Sequence, residues 1–324
     1  MLFFDIFNII TEYLCELKDI VNIYRLNREH EKNILIKNLY NEKHLSGLTQ
    51  EIIEQKKYKN VVKLYAFNND KIKKVDHMKN TLKILNCDGI CGINQEGIYQ
   101  LNLIELYAYR NEKIKNVNHM KHTLKILECG WNCEIDQYGI SELNLIKLKA
   151  SRNEKIKNVN HMNKTLKILH CGWDCGIDQD SISQLKLTEL YAYNNKNIKN
   201  VNHMKDTLKI LNCGWNCGIG QEGISQLRLS KLYAYDNNKI INVSHMKETL
   251  EVLGSEEGCG INQEAITCLK LTELNANSNE KIINVNHMKD TLKILNCCGS
   301  CGIDKEGILE LKLTKIFSLN NAKI

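Results

Sequence analysis

The chain has 324 residues, 43% of them hydrophobic, and its 44 Lys and Arg outnumber its 38 Asp and Glu to give a net charge of +6. This small positive charge is spread along the whole length, which argues against a nucleic-acid-binding protein. No uncharged apolar run reaches the roughly 18 residues that a membrane-spanning helix needs. We therefore expect neither a nucleic acid nor a membrane as partner.

Residues 1–44 are the first predicted element, because their apolar residues recur at helical spacing. The start, MLFFDIFNIITEYLC, is apolar, but it has no preceding basic region and carries Asp5 and Glu12. These features are not those of a secretory signal peptide. We expect a small helical domain at residues 1–44, a connecting segment at 45–60, and a location in the cytoplasm or nucleus.

The N-terminal segment resembles an F-box in the order of its residues: Leu2, Asp5-Ile6, Ile10, Tyr13-Leu14, Asp19-Ile20 and Ile23. Phe3 stands where that family has proline, and four residues separate Leu14 from Asp19. The resemblance implies docking on a Skp-type adaptor of a cullin ubiquitin ligase through an apolar helix face. The residues on that face would be Leu2, Ile6, Ile10, Leu14, Ile20 and Ile23. The alternative is a helical cap that only shields the first repeat.

From residue 61 the sequence is repetitive. A His-Met pair recurs every 42 residues, with its histidine at His77, His119, His161, His203, His245 and His287. Each step holds two 21-residue repeats of the form LxxLxLxxNxxI, giving twelve full repeats and one partial repeat over residues 61–324. We call odd the repeats that start at Val61, Leu103, Leu145, Leu187, Leu229, Leu271 and Leu313, and even those that start at Leu82, Leu124, Leu166, Leu208, Leu250 and Leu292.

Period and pattern resemble the leucine-rich repeat, in which each repeat supplies one short strand and a return segment. The resemblance implies an α/β solenoid with parallel strands on a concave face and short helices and turns on a convex face. The even repeats also resemble the cysteine-containing repeat of F-box proteins, although Asn216 takes the ninth position and Cys217 follows it. Chains that join an F-box to leucine-rich repeats are encoded by large DNA viruses and by protists.

Within a repeat, the first, fourth and sixth positions are expected to point inward, as with Leu187, Leu190 and Ala192, and positions two, three, five, seven and eight outward. The odd repeats have asparagine at the ninth position, which resembles an asparagine ladder: Asn69, Asn111, Asn153, Asn195, Asn237, Asn279 and Asn321. Even repeats predict a brief capped helix as the return segment. Odd repeats place Ile, Val and Met three apart, which predicts a tighter, 3₁₀-like return.

Cysteine pairs spaced C-x-x-x-C recur at Cys87/Cys91, Cys129/Cys133, Cys171/Cys175, Cys213/Cys217 and Cys297/Cys301. Successive pairs are at least two repeats apart, which is at least ~10 Å at ~4.8 Å per strand, whereas zinc ligands lie ~2.0–2.3 Å from the ion. The same spacing separates the recurrent histidines. We therefore expect buried thiols and turn histidines, and no metal, no cofactor, no catalytic residue and no enzymatic activity.

The outward strand positions are the expected binding surface, since aromatic residues are favoured at interfaces. Duplication alone could also explain a recurrent tyrosine, so the breaks in the pattern are more informative. These breaks include Ser151, Gly254, Asn275 and Asn277. Charged residues near the breaks would steer a partner of complementary charge. The predicted target-binding residues are Tyr107, Tyr109, Trp131, Lys149, Arg152, His170, Trp173, Tyr191, Tyr193, Trp215, Tyr233, Tyr235, Glu256 and Glu257, and Tyr65 and Phe67 share the outward positions.

Two functions fit these features. The first is the substrate receptor of a Skp-cullin-F-box ubiquitin ligase, in which the repeats bind the target and the N-terminal domain binds the adaptor. The second is a scaffold or decoy outside any ligase, whose N-terminal helices only cap the solenoid. Both predict a protein-binding module.

Overall fold

The structure is a computed structural model, and it describes residues 36–39 and 47–324. The six adaptor-binding residues expected between Leu2 and Ile23 lie outside the described residues. The chain forms two compact parts, which we call the N-terminal half (Met1–Ile156) and the C-terminal half (Lys157–Ile324) and describe one at a time. No helix in the described ranges is long and apolar enough to span a membrane.

The N-terminal half contains a parallel sheet whose strands follow in chain order. Its strands are β1 (Asn38–Leu39), β2 (Lys63–Tyr65), β3 (Ile84–Asn86), β4 (Glu105–Tyr107), β5 (Ile126–Glu128) and β6 (Lys147–Lys149). From β2 onward each residue pairs with the one 21 positions later, as Leu64 does with Leu85. Among the described residues the first strand is β1, which lies before residue 44, and Ile36 and Leu39 repeat the buried first and fourth positions.

The C-terminal half continues the same arrangement with eight parallel strands in chain order. They are β7 (Ile168–His170), β8 (Glu189–Tyr191), β9 (Ile210–Asn212), β10 (Lys231–Tyr233), β11 (Val252–Gly254), β12 (Glu273–Asn275), β13 (Ile294–Asn296) and β14 (Lys315–Phe317). The spacing of 21 residues is again constant, as for Leu190 and Leu211.

The core consists of the positions that the sequence predicts to point inward. Leu187, Leu190 and Ala192 are all fully buried, as are Cys171 and Cys213 at the sixth position of even repeats. Successive side chains of a strand point to opposite faces, and the strand residues on either side of the buried leucine are in most cases partly exposed. This arrangement confirms the α/β leucine-rich-repeat solenoid.

The return segments of the full odd repeats are 3₁₀ helices, as predicted, whereas only three of the six even repeats form the predicted short α-helix and the other three form 3₁₀ helices. The full odd repeats turn through 3₁₀ helices at Asp76–Met78, Asn118–Met120, Asn160–Met162, Asn202–Met204, Ser244–Met246 and Asn286–Met288. Residues before Val61 and the even repeats use α1 (Gln50–Ile53), α2 (Gln95–Ile98), α3 (Gln221–Ile224) and α4 (Gln263–Ile266), or 3₁₀ helices at Lys56–Tyr58, Tyr138–Ile140, Asp180–Ile182 and Glu306–Ile308. Side-chain caps are present, as at Asn94, which accepts a hydrogen bond from the Gly97 amide at 3.0 Å.

Asparagine side chains bind each odd repeat to the even repeat before it. Asn195 is 1% exposed, and its Nδ2 donates to the carbonyls of Cys171 at 2.8 Å and Ile177 at 3.0 Å. Its Oδ1 accepts from the amides of Asn197 and Ile198. The other ladder residues from Asn111 onward repeat the two donations. The column is therefore the structural ladder that the sequence indicated.

Glutamine forms a second column at the same contact. The Oε1 of Gln179 accepts from the amides of Lys199 and Asn200, and its Nε2 donates to the carbonyl of Asn200 at 2.9 Å. Gln95, Gln221 and Gln263 make the same three bonds to the odd repeats that follow them. These glutamines satisfy backbone groups in the return segment of the odd repeat that follows them.

The opposite contact, from an odd repeat to the next even repeat, uses different residues. Asn202, at the start of a 3₁₀ helix, donates to the carbonyl of Glu222 at 2.7 Å and accepts from the amide of Gln226 at 2.9 Å. Asn118 and Asn286 repeat these bonds. The solenoid thus alternates two chemically distinct interfaces, and the 42-residue pair of repeats is its structural period.

Candidate functional site

The predicted target-binding residues lie on the outward face of the strands or just after them. Tyr107, Tyr191 and Tyr233 end their strands, and Tyr109, Tyr193 and Tyr235 follow two residues later. The hydroxyl of Tyr107 donates to Glu105 at 2.7 Å and that of Tyr191 donates to Glu189 at 3.0 Å. Burial, together with the acceptor carboxylate, raises the pKa of Tyr191 to about 12. Tyr107 and Tyr191 are therefore held in place by the glutamate two residues earlier in the same strand.

The eighth position of most repeats has a left-handed backbone. The odd repeats place an asparagine, an aspartate, a serine or an arginine there, and among these Asn and Asp tolerate that conformation best. The residues are Asn68, Arg110, Arg152, Asn194, Asp236, Ser278 and Asn320. Even repeats use Gly89 at φ 69° and Gly299 at φ 65°, but three of them place Trp131, Trp173 and Trp215 there, at φ 50°, 59° and 54°. A bulky residue costs ~1–3 kcal/mol in this region. Glycine at the same position of two other repeats shows that the fold does not require tryptophan.

In the N-terminal half, Trp131 lies between two arginines. The guanidinium carbon of Arg152 is 3.6 Å from the Trp131 ring centroid, and that of Arg110 is 4.4 Å away. Tyr109 packs against the same indole with 6.0 Å between ring centroids. The structure therefore brings together three predicted residues, Tyr109, Trp131 and Arg152. Lys149, predicted as well, forms an ion pair with Glu128 at 2.8 Å.

The C-terminal half contains a cluster of four predicted aromatic residues, Trp173, Tyr193, Trp215 and Tyr235. The Trp215 ring lies 5.4 Å from Trp173, 5.6 Å from Tyr193 and 5.0 Å from Tyr235 between centroids, the two tyrosines edge-on. Such edge-to-face pairs are favourable. We call these four residues the aromatic cluster. His170 and Tyr191 stack separately, with 4.1 Å between ring centroids.

Glycine at the seventh position makes room for this cluster. A Cβ added to Gly214 would lie 2.5 Å from a ring atom of Tyr235, and one added to Gly172 would lie 2.8 Å from a ring atom of Tyr193. A real Cβ is not found so close to a ring atom. At Gly172 and Gly214 the glycine therefore admits the tyrosine of the next repeat, and the tryptophan that follows the glycine packs against that tyrosine.

Acidic residues border the aromatic cluster. An open cavity of ≈ 710 Å³ is lined by Trp215, Tyr235, Asp236, Glu256, Glu257, Gly258 and Asn277. Glu256 accepts a hydrogen bond from Asn275 at 2.7 Å, and burial raises the pKa of its carboxyl. Sequence reasoning identified Glu256 and Glu257 but missed Asp236, and it missed Arg110 beside Trp131. Asp236 and Arg110 could have been recognised from the sequence, because each occupies the eighth position of a repeat that is adjacent to a repeat with tryptophan at that position.

The recurrent histidines belong to the return segments. Nε2 of His119 lies 3.0 Å from the carbonyl oxygen of Ile98, and His77, His203, His245 and His287 make the equivalent contact. Because a carbonyl oxygen carries no proton, the ring nitrogen must donate. Burial lowers the pKa of His119, which favours the neutral ring. The predicted role in turn packing is confirmed for these five residues.

The cysteines of the C-x-x-x-C pairs are all buried free thiols. Burial raises the pKa of Cys171 and Cys213 well above the ordinary value of a thiol, and that of Cys133 to about 12. A thiol that stays protonated is neither a nucleophile nor a ready metal ligand. Across residues 36–39 and 47–324, no three His, Cys, Asp or Glu side chains come together as a metal-binding group.

Comparison with known proteins adds evidence on the fold. No protein-family model and no curated protein matches the chain. A crystal structure of the Rad7 and Elc1 complex in yeast is similar over 84% of this chain and 85% of that chain, with 15% identity and a TM-score of 0.55. The functional domain of InlJ from Listeria monocytogenes, described as including a cysteine ladder, gives 20% identity and a TM-score of 0.48 over 79% of this chain and 62% of that chain. The match to Rad7 supports the leucine-rich-repeat fold.

Proposed function

We propose that this chain is a protein-binding module that holds a target protein on its outward strand residues, and that residues 1–44 make it the substrate receptor of a Skp-cullin-F-box ubiquitin ligase. The observation that carries the target-binding part is the left-handed backbone at Trp131, Trp173 and Trp215. Strain kept at a surface position where glycine would suffice is typical of a functional site. Tryptophan is also among the residues most enriched at binding hot spots.

The surface also has the composition of a protein interface. Rigid aromatic rings, a planar arginine stack and flanking carboxylates offer large contact area at low cost in side-chain entropy. Trp215 is 38% exposed, so part of its ring remains for a partner. We propose no catalytic residue and no cofactor for the chain. We propose a location in the cytoplasm or nucleus, where ubiquitin ligases of this class act.

The target-binding part is tested by purifying partners of the tagged protein from its native cells. We expect the triple variant Trp131→Gly, Trp173→Gly, Trp215→Gly to lose the principal partner while remaining folded, because Gly89 and Gly299 occupy the same position in other repeats. Partners are identified by mass spectrometry, and circular dichroism checks the fold. Recovery of the same partners in the same amounts by both proteins would contradict target binding through this surface.

The adaptor-binding part rests on the sequence resemblance of residues 1–44. The similar yeast structure is a complex of Rad7 with Elc1, and a complex with a second protein is what we propose for this chain too. A co-expressed Skp-type adaptor is expected to co-purify with the intact chain. The variant Ile10→Asp, Leu14→Asp should reduce its recovery at least about tenfold, because carboxylates are costly to bury in an apolar groove.

The matched control for this experiment is Ile241→Asp, since Ile241 is 58% exposed on a return segment and should not affect adaptor binding. If the intact protein recovers no adaptor, the ligase role is rejected. The alternative function then stands, a scaffold or decoy whose N-terminal helices cap the first repeat.

A further inference from the structure

The cavity beside Trp215 combines aromatic and acidic walls in the C-terminal half. Trp215 and Tyr235 form one side, and Asp236, Glu256 and Glu257 contribute carboxylates around it. Its volume of ≈ 710 Å³ falls in the range of ~300–1,000 Å³ that is usual for ligand-binding clefts. The cavity is therefore large enough to admit a side chain from a partner.

The N-terminal half shows what this kind of tryptophan binds. Trp131 occupies the same repeat position as Trp215, with the same left-handed backbone. The residues at the eighth position of the two flanking odd repeats are Arg110 and Arg152, and both place a guanidinium over the Trp131 ring. Stacking of a guanidinium on an indole is favourable because the ring face is electron-rich.

Around Trp215 the same flanking positions hold Asn194 and Asp236. The ring contacts of Trp215 are with Trp173, Tyr193 and Tyr235, so all are aromatic. A carboxylate at residue 236 has replaced the arginine that the N-terminal half places beside its tryptophan. The chain thus provides the aromatic face and a counter-charge but not the cation.

The carboxylates beside Trp215 lack a cationic partner within the part of the chain that the structure describes. None of Asp236, Glu256 and Glu257 takes part in an ion pair there. The nearby amines of Lys239 and Lys281 donate instead to the carbonyls of Cys217 and Cys259 at 2.9 and 3.0 Å. Burial raises the pKa of Glu256, and an approaching cation would offset that cost of ionisation.

We propose that this cavity binds an arginine side chain of the target protein, with its guanidinium stacked on Trp215 and hydrogen-bonded to the carboxylates of Asp236, Glu256 and Glu257. Arginine fits better than lysine because its planar fork both stacks on an indole and pairs with two carboxylate oxygens. The partner segment is therefore basic at this point. This inference rests on the proposed protein-binding function and names the chemistry of the segment that is bound.

The test uses the full chain labelled with ¹⁵N and titrated with N-acetyl-arginine methylamide. The protein has three tryptophans, and the variant Trp215→Gly identifies the indole signal of Trp215. We expect that signal to shift and to saturate in the millimolar range, while Trp131, already covered by two arginines, shifts least. The corresponding citrulline compound, which has the same shape without the charge, should cause no saturable shift.

Carboxylate variants provide the matched controls. Asp236→Asn keeps a residue that Asn68 and Asn194 show to be tolerated in this conformation, and it should weaken binding about two- to fivefold, as for loss of one exposed charge pair. The triple variant Asp236→Asn, Glu256→Gln, Glu257→Gln should abolish the shift. Equal shifts with the citrulline compound, or an undiminished shift in the triple variant, would overturn the proposal.

The two proposals fail in different ways. If the triple carboxylate variant retains the native partner that the tryptophan variant loses, target binding stands and the arginine site is rejected. If the arginine compound binds at Trp215 but the tryptophan variant loses no partner, the site stands as a cation site and the proposed protein-binding role is rejected.

Discussion

Raising the pH from 8 to 10 is expected to destabilise the repeats steeply. Burial raises the pKa of ten thiols that are at most 5% exposed. Eight of them lie between residues 87 and 259: Cys87, Cys91, Cys133, Cys171, Cys175, Cys213, Cys217 and Cys259. For several of them the pKa in the fold is about 11 or 12, against about 8.5 in an unfolded chain. Above pH 9 the unfolded chain therefore loses these protons while the folded chain keeps them.

Because the pKa values are raised in the fold, the stabilisation is fully present below the unfolded pKa and is lost as the pH rises toward the folded values. Each thiol contributes about 1.4 kcal/mol per pH unit in this window. Unfolding that exposes all eight would lose on the order of 10 kcal/mol per unit, and local unfolding of a few repeats proportionately less. Urea unfolding followed by circular dichroism at pH 7 to 10, under reducing conditions, measures the effect.

Single variants separate this effect from general alkaline damage. Cys213→Ala removes one of the titrating thiols, so the slope of the unfolding free energy against pH should fall by the contribution of one proton. The packing should change little, because Ala192 and Ala234 occupy the same sixth position in the adjacent repeats. Cys268→Ala is the control, since that residue is exposed, and it should leave the slope unchanged. A stability that stays constant between pH 8 and 10 would contradict the prediction.

Replacement of a ladder asparagine should have the largest effect of any single substitution considered. Asn195→Ala removes two donated and two accepted hydrogen bonds at a site 1% exposed. It leaves the carbonyls of Cys171 and Ile177 without these donors. Each buried polar group without a partner costs about 1–3 kcal/mol, so we expect a loss of about 3–5 kcal/mol in the free energy of unfolding.

The control is Asn197→Ala, two residues later in the same turn and exposed, for which we expect a change within about 0.5 kcal/mol. Asn195→Asp distinguishes the donors from the acceptor, because aspartate keeps the oxygen that accepts but has no Nδ2 and brings a charge. It should destabilise at least as much as alanine. Equal stability of Asn195→Ala and Asn197→Ala, measured by urea unfolding, would show that the ladder does not hold adjacent repeats together.

The sequence predicts most of the fold because the position of a residue within the 21-residue repeat determines whether its side chain points inward or outward. The burial of Leu190 and Ala192 and the outward place of Tyr193 need only the period of the repeat and the pleat of a strand. The asparagine ladder was predictable because an uncharged polar residue recurs beside a buried strand. Residues 1–35 and 40–46 lie outside the described structure, so the F-box interpretation remains a prediction.

The parts that the sequence does not predict depend on side-chain and backbone conformations that have no periodic signal. Gln179 looks like an ordinary surface residue at the start of a turn, although its amide binds the next repeat. The stacking of Arg110 and Arg152 on Trp131 depends on where two long side chains turn. The left-handed backbone at Trp215 cannot be predicted from the sequence, because tryptophan rarely adopts that conformation.

The alternation of two interfaces limits how the gene for this protein can change in length. After a deletion or duplication of 42 residues, odd and even repeats still alternate at the new junction. The asparagine, glutamine and histidine side chains there can therefore still bond to the same backbone carbonyls and amides. A change of 21 residues would bring two repeats of one kind together, and the columns would meet no matching partners at that junction. Recombination between the near-identical coding repeats should therefore give folded proteins only when the number of repeats changes by two. Each such change adds or removes one even repeat, and with it one tryptophan or glycine at the eighth position of the binding face.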